Sequence, residues 1–234
     1  MKALCVCCLV AGVIAYAQLA GQTTKPAPCS ADVDFAALRH YAAVNEALQK
    51  SSKVPVKVVF LGDSITENWG KSTGIWFSNP EWINRGIGGQ TTAQLLLRTR
   101  SDAIELRPRV LVIEGGTNDM RDGVTPEQIR DNIASIAELA RAHHIKVMIA
   151  SMMPVCDCFR PLSGLRTVER IRHLNSLLQN LCKKNGWHYL DFNTPLADQN
   201  GNMKREFTVD GVHPNADGYR ALLPVCIKAL KHFG

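Results

Sequence analysis

The chain has 234 residues, 46% of them hydrophobic and 21% charged, with a formal net charge of +6 at pH 7. These proportions describe a globular protein with one sizeable core and exclude a disordered, fibrous or multi-span membrane chain. The positive charge is dispersed: only Lys183-Lys184 and the Arg166, Arg170, Arg172 group approach a cluster. No nucleic-acid-reading motif accompanies it, so no nucleic-acid partner is expected.

The chain opens with a targeting pattern. Lys2 is a minimal positive start, Leu4 to Ala15 is an apolar run, and Ala15-Tyr16-Ala17 offers a small-x-small cleavage site. Residues 1–17 are therefore expected to be a signal peptide, with export to the periplasm or the outside. The run is shorter than the roughly 20 residues of a membrane span, and no second run supplies an anchor. Residues 18–32, rich in Gln, Thr, Pro and Ala, form an expected tail or linker, and residues 33–234 one domain. Three of the 8 cysteines fall in the signal segment, leaving Cys29, Cys156, Cys158, Cys182 and Cys226. That number is odd, so at least one thiol stays free or pairs elsewhere. Cys156-Asp157-Cys158 is too short a unit for a zinc site, and a disulfide involving one of the two is expected, its partner open.

Apolar spacing predicts a helix over 35–50 and a buried strand over 56–61. A short strand over 82–84 and a helix over 91–106 follow. A strand over 110–114 precedes a helix from Pro126 to about His143, with Thr125 as its N-cap. Next come a strand over 145–152, a helix over 166–185 closed by Gly186, a strand over 188–192, and a closing helix over 216–232 that Pro224 is expected to kink. Strand and helix alternate about five times. The pattern implies a three-layer α/β/α sandwich around a parallel sheet of about five strands, whose ligands bind at the carboxyl ends of the strands.

Four segments stand at those ends. Gly62-Asp63-Ser64-Ile65 places a serine in a sharp turn at a helix start, where N–H groups face a developing anion. Gly86-Ile87-Gly88-Gly89 lacks the spacing of a dinucleotide loop and suggests close backbone approach to a ligand. Gly115-Gly116-Thr117-Asn118-Asp119 aims an asparagine amide into a cleft. Asp210-Gly211-Val212-His213 brings a carboxylate to one nitrogen of an imidazole and leaves the other free. Nucleophile, base, orienting acid and oxyanion donors are all supplied.

In this order, the four segments resemble the blocks of the SGNH hydrolases, the GDSL-type esterases and lipases. They span residues 62 to 214, with Ile65 where Leu is usual. The resemblance implies a flavodoxin-like SGNH hydrolase fold and a serine esterase that forms an acyl-enzyme. It implies Ser64 as nucleophile, His213 as general base and Asp210 as its orienter. The oxyanion would be held by the Ser64 and Gly89 backbone N–H groups and the Asn118 amide, with no metal or organic cofactor.

Substrate is a small-molecule or polysaccharide ester, and short acyl chains such as acetyl on a carbohydrate are expected. Asp63 and the aromatic residues Trp69 and Trp76 are candidate substrate contacts. Phe77 and Trp82 share their segment. The Cys156–Arg166 loop is expected to border the cleft, where Arg160 or Arg166 could meet an anionic substrate group, although solvated surface charge is the favoured reading for both. Alternatives are a lysophospholipase or thioesterase of the same family, or a carbohydrate-binding module on the same scaffold without turnover. No obligate protein partner is evident.

Overall fold

The structure, a computed structural model, describes residues 34–51, 55–71 and 79–231. The expected signal peptide, the tail, Cys29, Trp76 and Phe77 lie outside the described residues, which fall in the compact unit Asp34–Gly234.

Five strands form one parallel sheet: β1 (Val58–Gly62), β2 (Trp82–Gly86), β3 (Val110–Ile113), β4 (Lys146–Ala150) and β5 (His188–Leu190), in the order β2-β1-β3-β4-β5. Seven helices accompany them among the described residues: α1 (Ala42–Lys50), α2 (Ser64–Asn68), α3 (Thr92–Asp102), α4 (Thr117–Arg121), α5 (Pro126–Ala142), α6 (Val168–Asn185) and α7 (Ala216–Leu230). This is the flavodoxin-like strand order. It reverses direction at β1, so the β1/β3 boundary is the switch point where a crevice opens.

Both sheet faces are covered, so the central strands β1, β3 and β4 read as nearly continuous apolar runs. Alternate residues nevertheless go to different layers. Val59, Leu61, Leu111, Ile113, Val147 and Ile149 share one core with Leu95 of α3, Ile129, Ile133 and Ile136 of α5, and Leu174 and Leu178 of α6. Val58, Phe60, Val110, Val112 and Met148 share the other with Ile65 and Trp69 and with Tyr219, Leu222 and Cys226 of α7. Burying each such aliphatic side chain contributes about 1.5–3 kcal/mol.

Some predicted boundaries move, for local reasons. The helix predicted over 35–50 begins only at Ala42. Asp34 accepts the N–H groups of Leu38 and Arg39, each at 2.8 Å, and Ala37 adopts φ +53°, so the chain turns instead. The helix predicted to 106 stops at Asp102 and continues as a single 3-10 turn, Ile104–Leu106, ended by Arg107 at φ +52°. Pro224 lies within α7, which runs unbroken from Ala216 to Leu230. Pro224 has no N–H to donate to the Arg220 carbonyl, so the helix continues past it with that one bond missing. Among the described residues, no helix is long and apolar enough to cross a membrane.

Candidate active site

β1 delivers the first element of the site. Asp63 caps α2 by accepting the Ile65 N–H at 2.9 Å, and Ser64 is the first helical residue. The turn leaves no space beside Gly62, where a Cβ would lie 2.1 Å from Thr66 Oγ1. Its carbonyl is held from two sides, by Arg98 Nη2 at 2.8 Å and the Ile87 N–H at 3.1 Å.

Between β5 and α7, residues 208–214 form a loop closed by an antiparallel bridge from Thr208 to Pro214. Asp210 Oδ1 accepts the backbone N–H groups of Val212 at 2.9 Å and His213 at 2.8 Å. Its other oxygen, Oδ2, lies 2.8 Å from His213 Nδ1, and His213 Nε2 lies 2.9 Å from Ser64 Oγ. A carboxylate only accepts, so Nδ1 carries the proton and Nε2 presents a lone pair to the serine hydroxyl. Burial alone would raise the Asp210 carboxyl. The hydrogen bonds from the His213 backbone and ring and from Val212 outweigh it and hold the pKa below the usual value. Three residues separated by up to 149 positions thus make one hydrogen-bonded chain at the carboxyl edge of the sheet.

The model of the GDSL-like lipase/acylhydrolase family matches residues 60–221, which contain all four strand-end segments. The chain belongs to the GDSL-like lipase/acylhydrolase family. A GDSL-like lipase from Bacteroides thetaiotaomicron is similar in structure, with a TM-score of 0.76 and 34% identity over 85% of this chain and 99% of that one. Platelet-activating factor acetylhydrolase IB subunit alpha2 of Homo sapiens is 28% identical over 69% of this chain and 70% of its own length. The uncharacterized lipoprotein YqeF of Bacillus subtilis is 34% identical over a local stretch, 34% of this chain and 35% of that protein.

In this GDSL-family chain the remaining segments converge on the same edge. Asn118 is the second residue of α4, entered from β3 through Gly116 at φ +114°. Its Nδ2 donates to the Gln90 carbonyl at 3.0 Å and, more weakly, to Asp63 Oδ2 at 3.4 Å. Gly89 adopts φ +80°, is exposed, and has nothing within 4 Å of where a Cβ would stand. Its N–H makes no hydrogen bond among the described residues, whereas that of Gly88 donates to Glu67 Oε2 at 2.7 Å. Asp119 accepts the Thr92 N–H and fastens the start of α3 to α4.

Two candidate substrate contacts are corrected. Asp63 is fully buried and serves the Ser64 turn internally. Burial, and then the charge of Glu114, raise its carboxyl well above the ordinary range; burial raises Glu114 as well. Glu114 also accepts from Thr66 Oγ1 at 2.8 Å, so a buried pair of acids underlies Ser64. Trp69 is a core residue, 3% exposed, stacked on Tyr219 at 5.2 Å and edge-on to Phe60 and Phe192. Arg166 is likewise no surface charge: it is 7% exposed and donates to the carbonyls of Thr117 and Leu162. Arg160 is exposed, as expected.

The Cys156–Arg166 loop does adjoin the histidine loop. The Cys156 N–H donates to the Gly211 carbonyl at 2.9 Å. Cys156 and Cys158 are bonded to each other, and Cys182 and Cys226 are free and buried. Burial pushes the Cys182 thiol up to about 12, which keeps it protonated and unreactive.

Sequence reasoning did not single out Glu114, Arg98, Gln90 or Arg121. Glu114 carried a signal, an acid ending a run of four buried apolar residues. Arg98 carried none, since an arginine within a helix is ordinarily a solvated one.

Proposed function

We propose that the chain is a serine esterase that cleaves carboxylic esters through an acyl-enzyme. Ser64 Oγ attacks the ester carbonyl while its proton passes to His213 Nε2. The tetrahedral oxyanion receives the Ser64 and Gly89 N–H groups and the Asn118 amide. Collapse breaks the bond to the alcohol, which takes the proton back from His213. Water then repeats the sequence on the acyl-enzyme, releasing the acid and restoring the serine. Asp210 keeps the imidazole in its productive tautomer and stabilises the imidazolium. The single observation that carries the reading is the Ser64 Oγ to His213 Nε2 distance of 2.9 Å, continued by 2.8 Å from Nδ1 to Asp210.

For the substrate we favour short acyl groups, acetyl in particular. Support comes from the relative named as an acetylhydrolase, similar over 69% of this chain. An aromatic sugar platform has no support from Trp69, which lies in the core. Export through the N-terminal signal pattern is part of the proposal, in keeping with the local similarity to a lipoprotein.

The test is hydrolysis of p-nitrophenyl esters from C2 to C12, with acetylated xylan and a lysophospholipid alongside. Turnover is expected to peak at C2 and to vanish in Ser64→Ala and His213→Ala. Retained turnover in purified Ser64→Ala protein rejects the nucleophile, and a C8–C12 optimum rejects the acetyl preference.

A further inference from the structure

We infer that Arg121, clamped by Asp122, is a positioning residue that orients and polarises the Asn118 amide; the inference rests on the oxyanion role proposed above for Asn118. Neither Arg121 nor Asp122 belongs to the four strand-end segments.

The observations lie within one helical turn. Asn118 and Arg121 are three residues apart in α4 and therefore share a face. The Arg121 guanidinium grips Asp122 with two donors, Nε to Oδ1 at 2.6 Å and Nη2 to Oδ2 at 3.0 Å. That fork leaves Nη1, which donates to Asn118 Oδ1 at 3.1 Å. A guanidinium can only donate. It therefore fixes the carboxamide oxygen on its own side and the NH2 on the other. On that other side stand two acceptors, the Gln90 carbonyl at 3.0 Å and Asp63 Oδ2 at 3.4 Å. A flipped amide would set N–H against N–H at Arg121 and oxygen against oxygen at Gln90. One orientation remains, and in it the N–H on the long 3.4 Å contact is the one able to turn to an oxyanion.

Orientation is half of the effect. Donation to the amide oxygen draws electron density from the nitrogen and strengthens its N–H as a donor, by about 10–30% per bond. The benefit grows as negative charge develops on the substrate, so it belongs to the transition state rather than to substrate binding.

The rival reading makes Arg121–Asp122 an ordinary surface ion pair, since both side chains are about half exposed, at 49% and 46%. Such pairs contribute little to stability. Removing Arg121 is thus expected to leave the fold intact, and a loss of kcat would have another cause.

The experiment is a double-mutant cycle on the purified full chain, read as kcat and KM for p-nitrophenyl acetate. Asn118→Ala is expected to lower kcat by about 10²–10³, the usual cost of losing an oxyanion donor. Arg121→Ala is expected to lower kcat about tenfold with KM nearly unchanged, because the donor is loosened rather than lost. Arg121→Lys, which retains a single donor, should recover part of that loss. The double variant should be no slower than Asn118→Ala alone, because Arg121 acts only through that amide. If Arg121→Ala fails to fold, the same cycle is read with Arg121→Met, which retains the aliphatic stem. An unaffected kcat in the Arg121 variants, or losses that multiply in the double variant, overturns the inference and leaves the esterase reading standing. A harmless Asn118→Ala overturns the oxyanion assignment itself, and the inference with it.

Discussion

In the proposed reaction the hydroxyl of Ser64 attacks only through what surrounds it. His213 supplies the lone pair, and Asp210, which burial alone would make a weaker acid, is kept ionised by its hydrogen bonds to His213 and Val212. A depressed folded-state pKa stabilises the fold above the ordinary carboxylate value of 3.8, and that contribution is lost as pH falls through the lower folded value. The acids beneath Ser64 behave in the opposite way. Asp63 and Glu114 both have raised pKa values, so the folded state binds more protons than the unfolded one. Their contribution is complete below the ordinary values of 3.8 and 4.5 and declines as pH rises above them. Glu114→Gln removes one charge from the pair and is expected to flatten that decline. Urea midpoints at pH 5 and pH 8 measure it: the difference between the two should be smaller in Glu114→Gln than in the unmodified protein. An equal or larger difference contradicts the proposed coupling of the two acids.

At the scale of elements, the loops are shaped by glycines with distinct duties. At Gly211, with φ +99°, a Cβ would lie 2.3 Å from the Cys156 carbonyl. At Gly89, with φ +80°, nothing stands within 4 Å. Gly89→Ala therefore meets only the backbone penalty, about 1–2 kcal/mol. Gly211→Ala meets that penalty and a clash with backbone, and it displaces the loop that carries Asp210 and His213. Thermal unfolding of both variants should show the larger loss of Tm for Gly211→Ala, and equal losses would contradict this division of roles. The central strands β1, β3 and β4 were legible from sequence because each is largely a short apolar run ended by glycine or a polar turn. Helix ends and single-turn helices were less so. Asp34 takes two backbone donors and delays α1, and α2 and α4, each 5 residues long, are too short to show a 3.6-residue period.

At the scale of the molecule, residues of four elements meet in one buried network behind the site. Arg98 of α3, fully buried, donates to the Gly62 carbonyl at 2.8 Å and to Asp102 at 3.0 Å. Asp102 accepts from Asn45 of α1 at 2.7 Å, and Asn45 accepts from Arg85 of β2 at 2.9 Å. Arg98 also holds Gln90, whose carbonyl receives the Asn118 amide. The residues that would touch substrate were readable because their chemistry demands particular types at strand ends. Their supports were not: Arg98 and Arg121 depend on partners 36 and 3 positions away, and only folding brings these into register. The same limit misled the reading of Trp69, whose aromatic character fits a core as well as a cleft.

The most direct test of an activated Ser64 is stoichiometric labelling with a fluorophosphonate, read by mass spectrometry of the digested protein. The account predicts one phosphonyl adduct per chain, on the peptide containing Ser64, with none in Ser64→Ala and far slower labelling in His213→Ala. An adduct on another residue, or ester hydrolysis that survives full labelling, would contradict it.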